Sequence, residues 1–248
     1  MHSFIMLVQL VCTSTLLAQE TFLRTDAPSD LRIGSLAVNR ILFLGNSITV
    51  HAPAPEIGWT GNFGMAASSE DKDYVHQLVD QISRQIGGQP QIMVRNIAEF
   101  ERNLSRFNIE EQLSRELKFG ADIVILAIGE NVAKPESTEA KEEFRQAFQK
   151  LLQTLEHHEH PHIFVRSQFW SDSVKDEIMK GETLNARQTW VDLSGKVDES
   201  CHARSERHFH HAGVAGHPGD KGMMVIADAL MNSILKTARI SPQHGGTD

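Results

Sequence analysis

The chain has 248 residues, of which 40% are hydrophobic and 23% are charged. This composition is ordinary for a globular domain and argues against a disordered or fibrous protein. The formal net charge of -8 also argues against a nucleic-acid partner, because binding to phosphates needs a basic face.

The N-terminal residues 3–18 form an apolar run without charged side chains. Such a run is short for a membrane-spanning helix and is typical of a secretory signal peptide, here with cleavage after Ala18. We therefore predict a secreted or periplasmic protein; the alternative is a short buried helix. No later segment is long and apolar enough for an integral membrane span. If the signal peptide and its Cys12 are removed, Cys201 is left without a partner for an intramolecular disulfide.

We interpret residues 19–38 as an irregular lead-in, residues 39–240 as a single domain and residues 241–248 as a tail. Within the domain, short apolar runs alternate with segments of helical periodicity. This alternation predicts a mostly parallel sheet covered by helices on both faces, with a ligand site at the carboxyl ends of its strands. The predicted strands are 40–44, 91–96, 121–128, 162–166 and 190–193, and the predicted helices are 73–86, 103–119, 138–155 and 219–238.

Three short polar motifs lie at that edge of the predicted sheet. Ser47 follows the first strand, Asn131 follows the third, and His217 lies in the loop before the last helix. A histidine is the usual base for activating a serine, and an asparagine amide can donate a hydrogen bond to an oxyanion. Taken singly, each has a plainer explanation: a serine in a turn, an Asx-turn and a surface histidine.

Taken together, the motifs resemble those of the SGNH or GDSL-like hydrolases. The first family block, usually GDSIT, appears as residues 45–49; the third, Gly-x-Asn, as 129–131; and the last, His-Pro before a helix, as 217–222. The resemblance covers roughly residues 40–236. It implies a flavodoxin-like three-layer α/β/α sandwich with a five-stranded sheet, and hydrolysis of a small acyl ester without a cofactor.

The resemblance also implies roles for individual residues. Ser47 would attack the ester carbonyl, and His217 would take its proton. The backbone N–H of Ser47 and the side chain of Asn131 would bind the oxyanion. The family's second block places an oxyanion-hole glycine five residues after an asparagine; Asn96 matches that asparagine, but the fifth position is Glu101. We therefore expect Glu101 to donate through its backbone N–H.

Two further positions depart from the family pattern. Asn46 stands where the family has an aspartate, which keeps the shape and removes the charge. Val214 stands three residues before His217, where the family has the acid of its triad. Asp192 and Glu206 are the candidate replacements. The missing acid leaves open a non-catalytic binding protein with the same fold.

The segment 57–65 mixes aromatic side chains, glycines and amides. Trp59 and Asn62 are therefore candidate contacts for a carbohydrate ester, since exported family members often deacylate sugars. The alternative is a loop held in the core by Trp59.

Histidines cluster in two places. The first cluster, before the fourth strand, lies opposite the predicted site and is typical of a solvated turn. The second, His208, His210 and His211, suggests a metal-dependent hydrolase as an alternative. It lacks the spacing of a recognised zinc motif, so no metal ligand is assigned.

Overall fold

The computed structural model describes residues 30–240. The predicted signal peptide and the C-terminal tail 241–248 lie outside the described residues. Two short strands, β1 (Arg32–Ile33) and β2 (Leu36–Ala37), pair antiparallel within the segment predicted to be irregular. Among residues 30–240, no helix combines the length and the apolar character that crossing a membrane requires.

Five parallel strands form the central sheet, in the order β4-β3-β5-β6-β7. All five lie where the sequence predicts them, with small shifts at their ends. The strands are β3 (Arg40–Gly45), β4 (Gln91–Asn96), β5 (Ile123–Ala127), β6 (His162–Arg166) and β7 (Thr189–Val191).

Helices cover both faces of this sheet, so the predicted three-layer α/β/α sandwich is confirmed. Side chains alternate along β3, with Phe43 on one face and Leu44 on the other, and both are buried. The first face packs against α1 and α8, and the second against α5 and α6. The helices are α1 (Tyr74–Ile86), α2 (Ala98–Asn103), α3 (Ile109–Gln112), α4 (Ser114–Leu117), α5 (Thr138–His157), α6 (Ser173–Asn185), α7 (Ala212–Ala215) and α8 (Asp220–Ile240).

The structure corrects one helix and adds another. The single helix predicted over 103–119 is wrong: Leu104 has a positive φ of 39°, and Asn108 starts a new helix by accepting a hydrogen bond from the Glu111 N–H. Helix α6 was not predicted. Its sequence contains Gly181, and the charged Lys175 lies on its buried face, so the apolar periodicity of the segment is weak.

The register of the sheet brings the predicted motifs together. Gly45, the last residue of β3, is paired with Asn96 on one side and with Ala127 on the other. A Cβ at Gly45 would lie 1.9 Å from the Thr49 Oγ1 and 2.9 Å from the Ala127 carbonyl oxygen. Only glycine fits this close approach, which lets the chain turn sharply and place Ser47 at the edge of the sheet.

Candidate active site

Ser47 and His217 meet at the carboxyl edge of the sheet. The Ser47 Oγ lies 2.8 Å from the His217 Nε2, although the two residues are 170 positions apart in the chain. Both side chains are half-buried. This distance is within the range of a good hydrogen bond between a nucleophile and its base.

The other ring nitrogen of His217 has a backbone partner. Its Nδ1 lies 2.7 Å from the Gly213 carbonyl oxygen. Since a carbonyl can only accept, the proton of the neutral ring sits on Nδ1, and the Nε2 lone pair faces Ser47. The Gly213 carbonyl thus takes the position that the acid holds in a catalytic triad.

The short helix α7 explains why a carbonyl occupies this position. His211 caps its start by accepting from the Val214 N–H at 3.3 Å, and the chain then turns back so that the His217 N–H bonds the Val214 carbonyl at 3.0 Å. The Val214 side chain is buried in a small apolar cluster with Trp59 and Met65. The residue at the family's acid position therefore packs inward, and the preceding carbonyl faces the imidazole.

Neither candidate acid reaches His217. The Asp192 carboxylate accepts from the Ser194 N–H at 2.8 Å. The Glu206 carboxylate accepts from the Asp220 and Lys221 N–H groups, each at 2.8 Å. Glu206 thus caps the N-terminus of α8, where a carboxylate is favoured, and the expectation that either residue supports the imidazole is corrected.

The surroundings of His217 favour its neutral form. Burial lowers the pKa of His217, and the hydrogen bond to Gly213 opposes that shift only in part. The Trp170 ring lies edge-on to the imidazole, with 5.1 Å between ring centroids, and its Nε1 donates to the Gly216 carbonyl at 3.0 Å. Trp170, which the sequence did not single out, therefore holds the histidine loop in place.

The two predicted oxyanion donors, the Asn131 side chain and the Ser47 backbone, belong to residues that line one cavity. Asn131 lines the same cavity as Ser47, and its Nδ2 donates one hydrogen bond, to the Glu101 Oε2 at 2.8 Å. An amide nitrogen has two hydrogens, so the second can serve a ligand. The Ser47 N–H has no acceptor among residues 30–240.

Glu101 does not line this cavity, contrary to the expectation that its backbone would donate to the oxyanion. Its side chain is 1% exposed and points under the site. The carboxylate accepts from the Gly129 N–H at 2.6 Å and from the Asn131 N–H at 3.1 Å. Glu101 is therefore a positioning residue that holds the loop carrying Asn131.

Asn46 joins Glu101 to a second buried carboxylate. Its Nδ2 lies 3.3 Å from the Glu101 Oε1 and 2.7 Å from the Glu130 Oε2. The Glu130 Oε1 in turn accepts from the fully buried Arg166 at 2.6 Å. An aspartate at position 46 would keep the Ile48 N–H donor on one oxygen, but its second oxygen would face the Glu101 and Glu130 carboxylates without a donor. The two family departures, Asn46 and Glu101, are thus explained by one contact.

The two carboxylates differ in their electrostatic surroundings. Burial and the nearby Glu130 raise the pKa of Glu101. Burial also acts on Glu130, but the Arg166 guanidinium and the hydrogen bonds to Glu130 hold its pKa below its usual range. From α6, the buried Lys175 donates to the carbonyls of Gly129 at 2.9 Å and Val132 at 3.1 Å. The loop carrying Asn131 is therefore fixed from two sides.

The cavity over Ser47 has a volume of about 260 Å³. This volume lies below the range of typical drug-sized ligand sites and suits a short acyl group. Polar groups share the lining with apolar side chains. The lining residues are Ser47, His51, Ile57, Met65, Asn96, Ala98, Arg102, Asn131, His211, Gly213, Val214 and His217.

Ile57 and Met65 of the predicted substrate loop line the cavity, but the two predicted sugar contacts, Trp59 and Asn62, do not. Trp59 is 6% exposed, and its Nε1 donates to the His51 carbonyl at 3.0 Å. A buried ring has no free face for a sugar, so the alternative of a loop held in the core is the correct one. Asn62 is exposed and lies outside the cavity lining.

The second histidine cluster does not converge on a carboxylate. His208 and His210 pack edge to face, with centroids 5.3 Å apart, and His211 caps α7. Within residues 30–240, no three His, Cys, Asp or Glu side chains are arranged to hold a metal ion. The first cluster lies at the opposite edge of the sheet, where His162 begins β6.

We expect Asn46→Asp to lower the free energy of unfolding by about 3 kcal/mol near neutral pH, because it places a third buried carboxylate, without a cation of its own, against Glu101 and Glu130. Burial beside Glu101 and Glu130 would raise the pKa of the new aspartate. A group with a raised pKa takes up a proton on folding, so the loss should shrink as the pH falls. Urea unfolding at neutral and mildly acidic pH measures both effects.

The matched control is Asn62→Asp, which makes the same change on the exposed loop and should alter stability by less than about 0.5 kcal/mol. Equal losses in the two variants would contradict the role given to Asn46.

Comparison with known proteins finds solved structures that share this fold. No family model and no curated protein sequence matches the chain. A proposed GDSL-like lipase from Bacteroides ovatus aligns with a TM-score of 0.52 and 14% identity, over 81% of this chain and 99% of that one. A second, from Parabacteroides merdae, aligns with a TM-score of 0.54 and 16% identity, over 82% and 98%.

A two-domain esterase active on acetylated mannans aligns with a TM-score of 0.53 and 14% identity, over 84% of this chain and 51% of that one. This chain thus spans about half the length of that esterase. The chain has the fold of the SGNH or GDSL-like hydrolases.

Proposed function

We propose that the protein is a serine esterase that hydrolyses a small acyl ester through an acyl-enzyme on Ser47. One observation carries the proposal: Ser47 Oγ, His217 and the Gly213 carbonyl form a continuous hydrogen-bonded chain, with distances of 2.8 Å and 2.7 Å. A binding protein without catalytic activity would not need this alignment of a nucleophile, a base and an orienting group.

Two half-reactions follow from the geometry. The Ser47 Oγ attacks the ester carbonyl carbon while the His217 Nε2 takes its proton, and the oxyanion accepts from the Ser47 N–H and the Asn131 amide. Collapse of this intermediate expels the alcohol, which receives the proton from His217. Water then attacks the acyl-enzyme with the same base, releasing the carboxylic acid and restoring the serine hydroxyl.

The Gly213 carbonyl can orient the imidazole, but it carries no full charge. It therefore stabilises the imidazolium less than a carboxylate does, and loss of the right tautomer alone costs about 10⁴ in serine proteases. Because Gly213 keeps the tautomer, we expect a competent enzyme whose turnover is lower than that of an enzyme with a full triad.

The substrate class is proposed to be a short-chain ester, with an acetylated carbohydrate as the favoured case. The cavity of about 260 Å³ supports a short acyl group. Trp170 is 37% exposed, and its ring centroid lies 5.1 Å from that of His217, so an aromatic side chain stands beside the site. The similarity in fold to an esterase active on acetylated mannans agrees with this choice.

Export of the protein is proposed from the apolar residues 3–18. Expression of the full chain with N-terminal sequencing of the product tests this proposal. We expect the exported form to begin at Gln19, and a product that keeps residues 1–18 would refute cleavage.

Replacing Ser47 with alanine removes the nucleophile, so we expect kcat/KM for 4-nitrophenyl acetate to fall by at least about 10³-fold. Release of acetate from acetylated mannan should fall in parallel. The matched control is Ser114→Ala, an exposed serine at the start of α4, which should leave both activities unchanged. Equal rates for wild type and Ser47→Ala would remove Ser47 as the nucleophile.

The pH dependence of kcat/KM should report the free imidazole of His217. A base must be unprotonated, so activity rises as the pH rises through the pKa of His217. Since burial lowers that pKa, the acidic limb should lie below the pH at which an unperturbed histidine titrates. A limb at or above that pH would show that another group controls the reaction.

A further inference from the structure

We propose that the substrate carries a carboxylate on its alcohol portion, bound at the mouth of the catalytic cavity by Arg102 together with His211. The proposal rests on the esterase function proposed above and narrows it to esters of acidic alcohols, such as acetylated sugar acids. It follows from the charges around the cavity, the free donors of Arg102 and the small volume available to the acyl group.

The residues that line the cavity carry a positive charge, whereas the whole chain is acidic. Its twelve residues include Arg102 and three histidines, and no aspartate or glutamate. The chain has a formal net charge of -8. A locally basic cavity on an acidic protein attracts an anion to that place in particular.

Arg102 has unused donors. It lies in α2, its side chain is exposed, and its Nη2 donates to the Asn131 Oδ1 at 3.2 Å. No carboxylate within the described part of the chain forms an ion pair with it. A guanidinium has five N–H donors in a planar fork that matches a carboxylate. The carboxylate of the neighbouring Glu101 accepts hydrogen bonds from the Gly129 and Asn131 N–H groups, so it does not pair with Arg102.

His211 adds a second donor at the same cavity. Its Nδ1 accepts from the Val214 N–H at 3.3 Å, so in the neutral ring the proton lies on Nε2. His211 and Arg102 line the cavity from two separate segments, α2 and the residue before α7. Two donors from separate elements can fix both the position and the orientation of a carboxylate.

The size of the cavity assigns the carboxylate to the alcohol side. About 260 Å³, walled in part by Ile57, Met65 and Val214, is suited to a short apolar acyl group. The remainder of the ester must extend past the exposed rim. Arg102 and His211 are both exposed, so they meet that part of the substrate.

Two aryl esters of equal size test the proposal: 4-acetoxybenzoate, whose alcohol portion is anionic, and its neutral counterpart 4-acetoxybenzamide. The ratio of their kcat/KM values cancels any loss that Arg102→Gln causes through Asn131. We expect that ratio to fall by about tenfold in Arg102→Gln, since a hydrogen bond between charged groups is lost. Raised ionic strength should lower the wild-type ratio.

The matched control is Arg106→Gln, which removes the same charge from an exposed arginine outside the cavity lining and should leave the ratio unchanged. An unchanged ratio in Arg102→Gln would overturn the proposal. If the acetyl ester of 4-acetoxybenzamide is still hydrolysed, and if that hydrolysis depends on Ser47, the esterase function would stand.

Binding to the inactive Ser47→Ala protein tests the same site without turnover. By calorimetry, we expect 4-acetoxybenzoate to bind more tightly than 4-acetoxybenzamide, and the difference to vanish when Arg102→Gln is added. Arg102→Lys should restore part of it, because lysine keeps the charge and loses the planar fork. Equal binding of the two esters to Ser47→Ala would overturn the proposal even if neither ester is hydrolysed by the wild type.

Discussion

The hydrogen bond from the His217 Nδ1 to the Gly213 carbonyl is the contact on which the proposed chemistry depends. It holds the ring in the tautomer that presents the Nε2 to Ser47. The carbonyl is available because α7 is a single short turn and because Val214 packs into the apolar cluster around Trp59. Position 214 thus holds a buried apolar side chain where the SGNH or GDSL-like pattern has an acid, and a backbone group provides the orientation.

A second constraint lies beneath the proposed oxyanion donors. Two carboxylates, Glu101 and Glu130, share one amide from Asn46, and Arg166 supplies the only guanidinium paired with them in the described part of the chain. Each oxygen of the two carboxylates accepts a hydrogen bond, which offsets part of the cost of burying their charge, whereas the Nε and Nη2 of Arg166 have no partner within the described residues. The cluster fixes the loop of Asn131, and it explains how the chain accepts a glutamate where the SGNH or GDSL-like pattern has a glycine.

Much of this arrangement could be predicted from the sequence. Apolar runs located the five strands, and the polar residues after Gly45 and Gly129 located Ser47 and Asn131, because parallel strands end at a common edge. The structure places Ser47 and His217 in contact, and their chemical roles are proposals. The interpretation of Trp59 as a sugar contact failed, since residue type alone does not tell an exposed ring from a buried one.

Other features of the site were not predicted from the sequence. The Gly213 carbonyl is a backbone group, so no residue type marks it. Glu206 carries the charge expected of a triad acid, but it caps α8, and only tertiary structure decides between those uses. Trp170 follows β6 at the same edge of the sheet as Ser47, and an aromatic residue after a strand end was the signal that could have pointed to it.

The central claim is that Ser47 is a nucleophile activated by His217. Labelling with a fluorophosphonate, followed by intact-mass measurement and peptide mapping, tests it most directly, because the reagent reacts with an activated serine. We expect one adduct per chain, on the peptide that contains Ser47, forming far more slowly in His217→Ala. An adduct on another residue, or labelling of Ser47 at the same rate without His217, would contradict the claim.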